Sequence, residues 1–578
     1  MKEKEIKDHS LKHSTAHLLA SAIAKKFPKA KRTIGPAIED GFYYDFDNLE
    51  ISEEDFREIE KLMRKEIAEK LPFKQEEVSV EEAKKIFKDN KYKLELIDEF
   101  SKENKKLTIV SHGDYIDLCH GGHIKDTSEI KAFKLMKIAG AYWRGDSKNK
   151  MLTRIYGVAF KSEKELKEYL NLLEEAKKRD HKKLGKQLGL FTFSELVGPG
   201  LPLWTPKGTL LRSLLDNFVW ELRRERGYQK VLIPHITKKE LYITSGHWEK
   251  FKDDLFRIKT REGHEFAMKP MNCPHHTQIY ASEQKSYRDL PQRYCETTMC
   301  YRDEQSGELH GLSRVRSFEQ DDAHVFCQEK ETEKEIEIVW DIIDNFYKPF
   351  GFKMDVRLST HDPNNMKAYL GTPEKWKKSE AQLLKVINKR KVKYLEGIGE
   401  AAFYGPKIDF IAKDSLGREW QVATIQLDLN MPERFELKFT NEKGNEERVV
   451  MIHAAIMGSI ERFLSILIEH CAGNFPLWLN PEQIRILTVT DRNNKYAEGV
   501  YKKLKEEGIR VTLDTKSHSI GKKVREAQLE KVNYMLTLGD KEQEGKTLAV
   551  RTREGKVNFN VNLDQFIKDI KKEIKDRK

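Results

Sequence analysis

A chain of 578 residues has room for three or four domains, each large enough for its own core. With 38% hydrophobic and 34% charged residues it reads as globular rather than disordered, and a formal net charge of +11 suits a polyanionic partner without requiring one. Cys119, Cys273, Cys295, Cys300, Cys327 and Cys471 form no CxxC pair, MKEKEIKDHS has no apolar signal core, and no apolar run is long enough for a bilayer. Reduced thiols, no membrane contact and a cytoplasmic location are therefore expected.

In chain order, SLKHSTAHLLASAIAKK over 10–26 reads as a helix with His13 and His17 on one face. A Gly35-Pro36 turn, the strand-like GFYYDFD, an acidic-basic helix over about 52–70 and a mixed segment ending in YKLELID follow. The next extended piece carries Asp117-Leu-Cys119-His-Gly-Gly-His123, and together these make an α+β domain over 1–161. By themselves HxxxH and CxxxH are donors for a structural zinc site, or scattered polar residues. Ser162 and Glu165 form a capping box, Leu166, Tyr169, Leu170 and Leu173 recur at helical spacing, and Gly185 offers a stop, which predicts a linker helix over 162–187.

A third region, 188–480, opens at the VGPGLPLWTPKG turn, followed by a helix from about Thr209 to Gly227 and the extended YQKVLIPHI. Within it, CYRDEQSGELHGLSRVRSFEQDDAH (300–324) reads as two strands around a polar turn at 304–307. If the second strand is regular, Arg314, Arg316, Phe318, Gln320, Asp322 and His324 share one face, and Arg302 and Glu304 share another. Such a face fits a half-solvated antiparallel strand, but guanidiniums suit phosphate or carboxylate, and an aromatic among them suits a base. From 481 to 578, IRILTVT, a helix to Glu507, RVTLD, a helix over VREAQLEK and YMLTLGD alternate, which predicts an α/β module with a mainly parallel sheet. Gly539-DKEQE-Gly545-Lys546-Thr547 imitates a phosphate loop, but it has one intervening residue too many and runs into a strand.

CYRDE…SRVRSFEQDDAH resembles the second signature of class II aminoacyl-tRNA synthetases; the 209–227 helix with Pro234 resembles the first, and MGSIERFLSILIEH with Arg462 the third. KPMNCPHH, SYRDLPQRY, AYWRGD, GPKIDF, HSTAH and DLCHGGH narrow the resemblance to the threonyl-tRNA synthetases, from about His9 to the end of the chain. The resemblance implies an α+β multidomain enzyme. Its parts would be an N-terminal editing domain, a class II antiparallel-sheet catalytic domain, and an α/β anticodon-binding domain, with the family's ubiquitin-like N-terminal domain lacking. It would be a homodimer that joins L-threonine to tRNA(Thr) through an adenylate, using ATP with Mg2+, and that hydrolyses mischarged seryl-tRNA(Thr).

The resemblance also assigns residues. Arg302, Arg462, Lys407 and His247 would be catalytic, His247 by helping to activate the tRNA hydroxyl. ATP would meet Arg302, Glu304, Arg314, Phe318, Gln421, Thr424, Ser459 and Arg462. Threonine would meet Gln320, Asp322, Tyr404 and Gln426, and one Zn2+ per subunit would sit on Cys273, His324 and His453. Editing falls to His13, His17, Tyr44, Lys93, Asp117, Cys119 and His123, and anticodon reading to Arg525, Glu542 and Arg551. The chain departs from the family at four places: Cys119-His-Gly-Gly-His123 stands for CRGPH, Cys273-Pro-His275-His276 for CPGH, His453-Ala-Ala455 for HRA, and Lys516-Ser-His-Ser-Ile-Gly521 for RNEKIG. His275 thereby adds a further candidate zinc donor. The rival readings are an inactive class II paralogue acting as an RNA-binding module, and a metallohydrolase centred on the N-terminal His/Cys group.

Overall fold

Leu11, Leu18, Leu19, Ala22 and Ile23 form the apolar stripe of helix α1 (Lys2–Lys26), and every residue from Ser14 to Ile23 is buried, so this stretch of the helix is covered on all sides. This holds in the computed structural model of the chain, which describes residues 2–103, 106–428 and 430–578. The chain divides into two compact units, Met1–Glu174 and Glu175–Lys578.

The first unit continues with α2 (Phe56–Ala68) and α3 (Lys91–Lys102). Its principal strands are β1 (Gly41–Asp47), β2 (Thr108–His112), β3 (Tyr115–Leu118), β4 (Ala132–Tyr142) and β5 (Met151–Phe160). β1, β5 and β4 lie side by side, antiparallel, with the short strand Lys31–Arg32 on the free edge of β1. Phe42, Tyr44 and Phe46 alternate along β1 onto the same face and join the α1 stripe in a single core. A second antiparallel sheet runs Lys74–Glu77, β2, β3. In β3 Tyr115 and Asp117 are buried while Ile116 is exposed, the period-two pattern of a strand with one covered face.

α4 (Glu163–Arg179) begins where Ser162 Oγ accepts the Glu165 backbone N–H at 3.2 Å, as the capping box predicts. Gly185 is not its stop. α4 ends at Arg179, Asp180 caps a new helix α5 (His181–Gln187), and Gly185 lies inside α5, where a Cβ would run into the Phe191 ring. The division between units falls within α4.

In the second unit α6 (Pro206–Arg224), α7 (Cys273–Ala281), α8 (Thr332–Tyr347) and α9 (Ile460–Cys471) flank an eight-stranded sheet. Its strands are β6 (Gln229–Lys230), β7 (Gln292–Tyr301), β8 (Ser317–Cys327), β9 (Lys353–Thr360), β10 (Tyr394–Ile398), β11 (Lys407–Lys413), β12 (Glu419–Asp428) and β13 (Val450–Ser459). The spatial order is β6-β7-β8-β13-β12-β11-β9-β10, parallel only at β6/β7 and β9/β10. Ile336, Val339, Trp340, Ile343 and Phe346 of α8 and Phe463, Leu464 and Leu467 of α9 fill one face of the sheet. The other face is left for the site.

The final part holds β14 (Ile484–Thr488), β15 (Val511–Asp514), β16 (Tyr534–Leu538), β17 (Leu548–Thr552) and β18 (Val557–Val561), in the order β15-β14-β16-β17-β18. α10 (Asn494–Glu506), α11 (Ile520–Leu529), α12 (Asp540–Gly545) and α13 (Leu563–Lys575) accompany them. The sheet is not mainly parallel: β15-β14-β16 are, but β16, β17 and β18 run antiparallel, because the short α12 and the Arg553–Gly555 turn reverse the chain where a longer crossover is needed to keep direction.

Candidate active sites

The 300–324 hairpin is shorter than its sequence suggests. β7 stops at Tyr301 and β8 starts at Ser317, so Arg302, Glu304, Arg314 and Arg316 lie in the connecting loop. Strand alternation holds from Phe318 onward, and Phe318, Gln320, Asp322 and His324 share the open face. Register then assembles the site. His324 of β8 is paired with His453 of β13, which is paired with Gln426 of β12; Gln320 opposes Ser459, and Thr424 opposes Ala455. Residues scattered over 140 positions become cross-strand neighbours.

Two cavities result. The larger, about 500 Å³, is lined by Arg302, Glu304, Arg314, Phe318, Gln421, Thr424, Ser459 and Arg462, every residue expected to meet ATP. The smaller, about 160 Å³, is lined by Cys273, His324, His453, Gln320, Asp322, Tyr404 and Gln426, the expected threonine and zinc residues. Arg302 lines both. Its guanidinium lies 5.2 Å from the Phe318 ring and 5.6 Å from Phe251, and its buried Nε makes no hydrogen bond among the described residues. Burial, reinforced by the Arg314 guanidinium, pushes Arg462 below the usual arginine range. Arg314 is paired with Glu304 and Glu308 at 2.7 and 3.0 Å. Arg316 instead bonds the Glu304 carbonyl and lines neither cavity. The larger cavity is therefore a cationic cleft whose charge the protein itself balances only in part, suited to a polyphosphate.

In the smaller cavity His324 Nε2 and His453 Nδ1 face each other at 3.1 Å, and with Cys273 Sγ all three donors lie within 4.8 Å of one another. Two imidazole nitrogens on one tetrahedral zinc lie about 3.3 Å apart when each bond is about 2.0–2.1 Å, so the donors fit. Their remaining nitrogens are held from behind: His324 Nδ1 is 2.7 Å from His276 Nδ1, and His453 Nε2 is 3.1 Å from Asp428 Oδ2. Burial, with His276 and His453 alongside, keeps His324 well below the ordinary histidine range, so it is a neutral donor. His275 is not a competing donor. Its Nε2 is spent on Thr237 Oγ1 at 2.5 Å, its Nδ1 has no hydrogen-bond partner among the described residues, and it lines neither cavity, because two residues on from Cys273 along α7 the side chain points about 200° away.

Two expected catalytic residues lie off the cavity walls. Lys407 Nζ pairs with Asp409 at 2.8 Å. His247 is fully buried, with Nδ1 2.8 Å from Ser245 Oγ and Nε2 3.2 Å from Met271 Sδ, and burial lowers it to about 3. Sequence reasoning missed Asp409, which accepts from Ser359, Gln421 and Thr424 at 2.7, 2.8 and 3.0 Å and so fixes two nucleotide-site residues. Lys407 and Asp409 share a strand face, as do Gln426 and Asp428; period two was the available signal.

The first unit brings its seven expected residues together. Asp117 is the hub: Lys93 Nζ is 2.6 Å from Oδ1, and the Tyr44 and Tyr115 hydroxyls donate to Oδ2 at 2.5 and 2.9 Å, with His17 Nδ1 at 3.4 Å. Burial pushes the Asp117 carboxyl up, but Lys93, His17 and Arg32 outweigh it and hold it well below the carboxylate range. Above the hub, Cys119 Sγ lies 3.5 Å from His13 Nε2 and 3.3 Å from His123 Nε2. Burial lowers His13 to about 3 and His123 to about 2, and raises the Cys119 thiol to about 11, so three neutral groups meet there. These donors and His17 also lie within 4.8 Å of one another, a spacing that a metal would accept. Gly121 and Gly122 have φ +100° and +84°, so the loop takes a path closed to the proline of CRGPH. Tyr115, missed from sequence, is two residues from Asp117 on one strand face.

In the last part, Arg525 is exposed on α11, Arg551 donates to Gly555 O at 3.2 Å, and Glu542 accepts the Gly539 N–H that caps α12. α12 leading into β17 removes the phosphate-loop look-alike.

Three family models match the chain: threonyl and alanyl tRNA synthetase second additional domain over 107–156, tRNA synthetase class II core domain (G, H, P, S and T) over 256–471, and anticodon binding domain over 483–573. The chain is 48% identical over 570 residues to a threonine--tRNA ligase of Flavobacterium johnsoniae, covering 97% of this chain and 88% of that one. It is 50% identical over 557 residues to that of Gloeobacter violaceus, covering 94% and 88%. Among solved structures, the RNA binding domain of threonyl-tRNA synthetase from Cryptosporidium parvum superposes with TM-score 0.65 at 38% identity, covering 68% of this chain and 98% of that one. Sheet order, cavity lining and these likenesses agree, and the chain belongs to the threonine--tRNA ligase family of class II synthetases.

Proposed function

We infer that this protein activates L-threonine with ATP, transfers it to tRNA(Thr) and hydrolyses seryl-tRNA(Thr). The observation that carries the reading is the pair of cavities that meet at Arg302. A carboxylate oxygen of the amino acid attacks the α-phosphate, the bond to the β,γ-phosphates breaks, and pyrophosphate leaves; Mg2+ would accompany ATP, held through its phosphates. Arg302 spans both reacting anions and offers an uncommitted Nε. Arg462 and Arg314 receive the far phosphates, Glu304 and Phe318 the base, and Gln421 and Thr424 are held still by Asp409.

Cys273, His324 and His453 would hold one Zn2+. Bound there, it would supply Lewis-acidic positions for both an amine and a hydroxyl, so that valine, isosteric but without the hydroxyl, would be one ligand short. Asp322, Gln320, Tyr404 and Gln426 orient the amino acid around it. Asp322 is itself held by Asn272 Nδ2 at 3.2 Å.

Serine differs from threonine by one methyl, worth roughly 1–3 kcal/mol, too little for accurate translation, so a second, hydrolytic site is needed. The first unit serves it with Asp117, Lys93, Tyr44, His13, His17, Cys119 and His123. With its thiol protonated at neutral pH, Cys119 positions water and substrate rather than attacking. Water adds to the ester carbonyl and the tRNA ribose hydroxyl leaves. We assign 1–161 to editing, 162–187 to a linker, 188–480 to catalysis and 481–578 to anticodon reading. Leu196, Val197, Leu203 and Leu232 are exposed around the first class II signature, which supports a homodimer. Among the described residues no helix is long and apolar enough to cross a membrane.

The experiment is ATP–pyrophosphate exchange with each amino acid, alongside metal analysis. Threonine, with weak serine activity and none for valine, is expected, with one zinc per chain lost together with activity in Cys273→Ser. Full threonine activity in zinc-free enzyme would refute the zinc assignment.

A further inference from the structure

Among the described residues a third group of close donors, Asp180, His181 and Glu469, lies outside both cavities. His181 is 1% exposed at the start of α5. Its backbone N–H donates to Glu469 Oε1 at 3.1 Å, and its Nδ1 lies 2.6 Å from the same oxygen. On the other side of the ring, Nε2 accepts the Leu312 backbone N–H at 3.0 Å. An accepting Nε2 fixes the proton on Nδ1, so both nitrogens are spent and no lone pair remains for a metal.

Each partner of His181 is tied to the nucleotide cavity. Glu469 sits in the last turn of α9, whose first turn carries Arg462 and is capped by Ser459, and Glu469 Oε2 is further held by Arg418 at 2.6 Å. Leu312 belongs to the loop between β7 and β8; the next two residues, Ser313 and Arg314, line the cavity. The loop approaches the imidazole as closely as glycine allows: Gly311 has φ +51°, and a Cβ there would lie 2.2 Å from His181 Nε2. His310 N and Arg314 O close the turn at 3.1 Å, so fixing Leu312 fixes the base of Arg314.

We propose that His181 is a positioning residue for amino-acid activation, a neutral imidazole strut between α9 and the β7–β8 loop that holds Arg314 at the height of Arg462 for the triphosphate. It touches no substrate. The proposal rests on the larger cavity being the ATP site. A loop released at Leu312 lets Arg314 remain with Glu304 and Glu308, its partners when no phosphate is bound, so ATP has to compete for a guanidinium that is no longer presented.

The test is ATP–pyrophosphate exchange on the full chain, with active sites counted by titration, for His181→Leu, His181→Gln, Gly311→Ala and Arg314→Ala. His181→Leu should raise KM for ATP about 10-fold, the order for one lost contact to a charged group, with KM for threonine nearly unchanged. Gln offers an oxygen that can accept the Leu312 N–H and should recover most of the loss. Gly311→Ala, whose Cβ would meet His181 Nε2 and so force the loop and a chemically intact imidazole apart, should also raise KM for ATP, and it decides the matter if the leucine variant does not fold. Loss of active sites or of kcat with KM for ATP unchanged in His181→Leu and Gly311→Ala would mean that the strut is only structural, and overturns the proposal. An unchanged KM for ATP in Arg314→Ala would instead refute the ATP-site reading itself.

Discussion

The two reaction centres bury charge in opposite ways. In the first unit Asp117 is enclosed with its own counter-charge: Lys93 at 2.6 Å and two tyrosine hydroxyls satisfy it, while the groups above it, His13, Cys119 and His123, are held neutral by burial. The buried charge of that site is balanced before any ligand arrives, and what it leaves without a hydrogen-bond partner among the described residues is neutral: His13 Nδ1 and both nitrogens of His17. In the catalytic sheet Arg302 has an uncommitted Nε, Arg462 is pushed down by burial and Arg314, and His324, His453 and Cys273 turn their donors toward one another. That site is incomplete without anions and a cation. Hydrolysing an ester needs a placed water and a little polarity. Bringing a carboxylate onto a triphosphate needs positive charge that the protein leaves unbalanced until substrate binds.

The largest expected effect removes that unbalanced charge at its centre. Arg302→Ala should lower ATP–pyrophosphate exchange by about 1,000-fold or more, since one guanidinium serves both reacting anions. The Tm should be nearly unchanged, because Arg302 anchors little of the fold. Normal exchange kinetics would show that the cleft's charge is not aimed at the chemistry.

A smaller effect, confined to the other centre, is expected from His13→Ala combined with Cys119→Ala. Threonine charging should stay within about 2-fold, while deacylation of preformed seryl-tRNA(Thr) slows by about 100-fold, the order of lost acid–base positioning, and seryl-tRNA accumulates. Wild-type clearance by the double variant would remove the N-terminal unit from editing. Zinc per chain in the same variant separates the readings of its four donors: one retained zinc in both variant and wild type fits a hydrolytic pocket, whereas loss of a second zinc fits the structural-metal alternative.

The last effect, on stability rather than activity, contrasts Asp117 with a buried carboxylate of the catalytic unit. Burial raises Glu461 from 4.5 to about 7, only partly offset by Arg212. A carboxyl raised in the folded state stabilises fully below its unfolded pKa and loses that contribution as pH rises through the folded one. Stability should therefore fall by about 3 kcal/mol between roughly pH 4.5 and 7. Asp117 behaves oppositely: its folded pKa is depressed, so its contribution is present at neutral pH and is lost only in acid. Glu461→Gln should flatten the decline of Tm from pH 5 to 8, measured without nucleotide. An equal decline in the variant would show that Glu461 ionises at its ordinary value.

What could be read along the chain was whatever repeats at a local period. His13 and His17 lie one helical turn apart, Phe318 to His324 alternate on one strand face, and the capping box at Ser162 opens a helix, all because side-chain direction follows from backbone geometry alone. The family motifs named the cavity residues, but none of them carries a distance. Strand register placed His324 beside His453 and Gln426 beside both, and two bends that local period does not foresee changed the picture. The strands flanking residues 302–316 stop early, which turns Arg316 onto the Glu304 carbonyl, and the chain breaks at Asp180 rather than Gly185. The orientations of His275 and His247, the Asp409 hub and the His181 strut were likewise decided by packing. Each depends on a partner between 2 and 288 positions away, and a buried polar group goes wherever its hydrogen bonds can be satisfied.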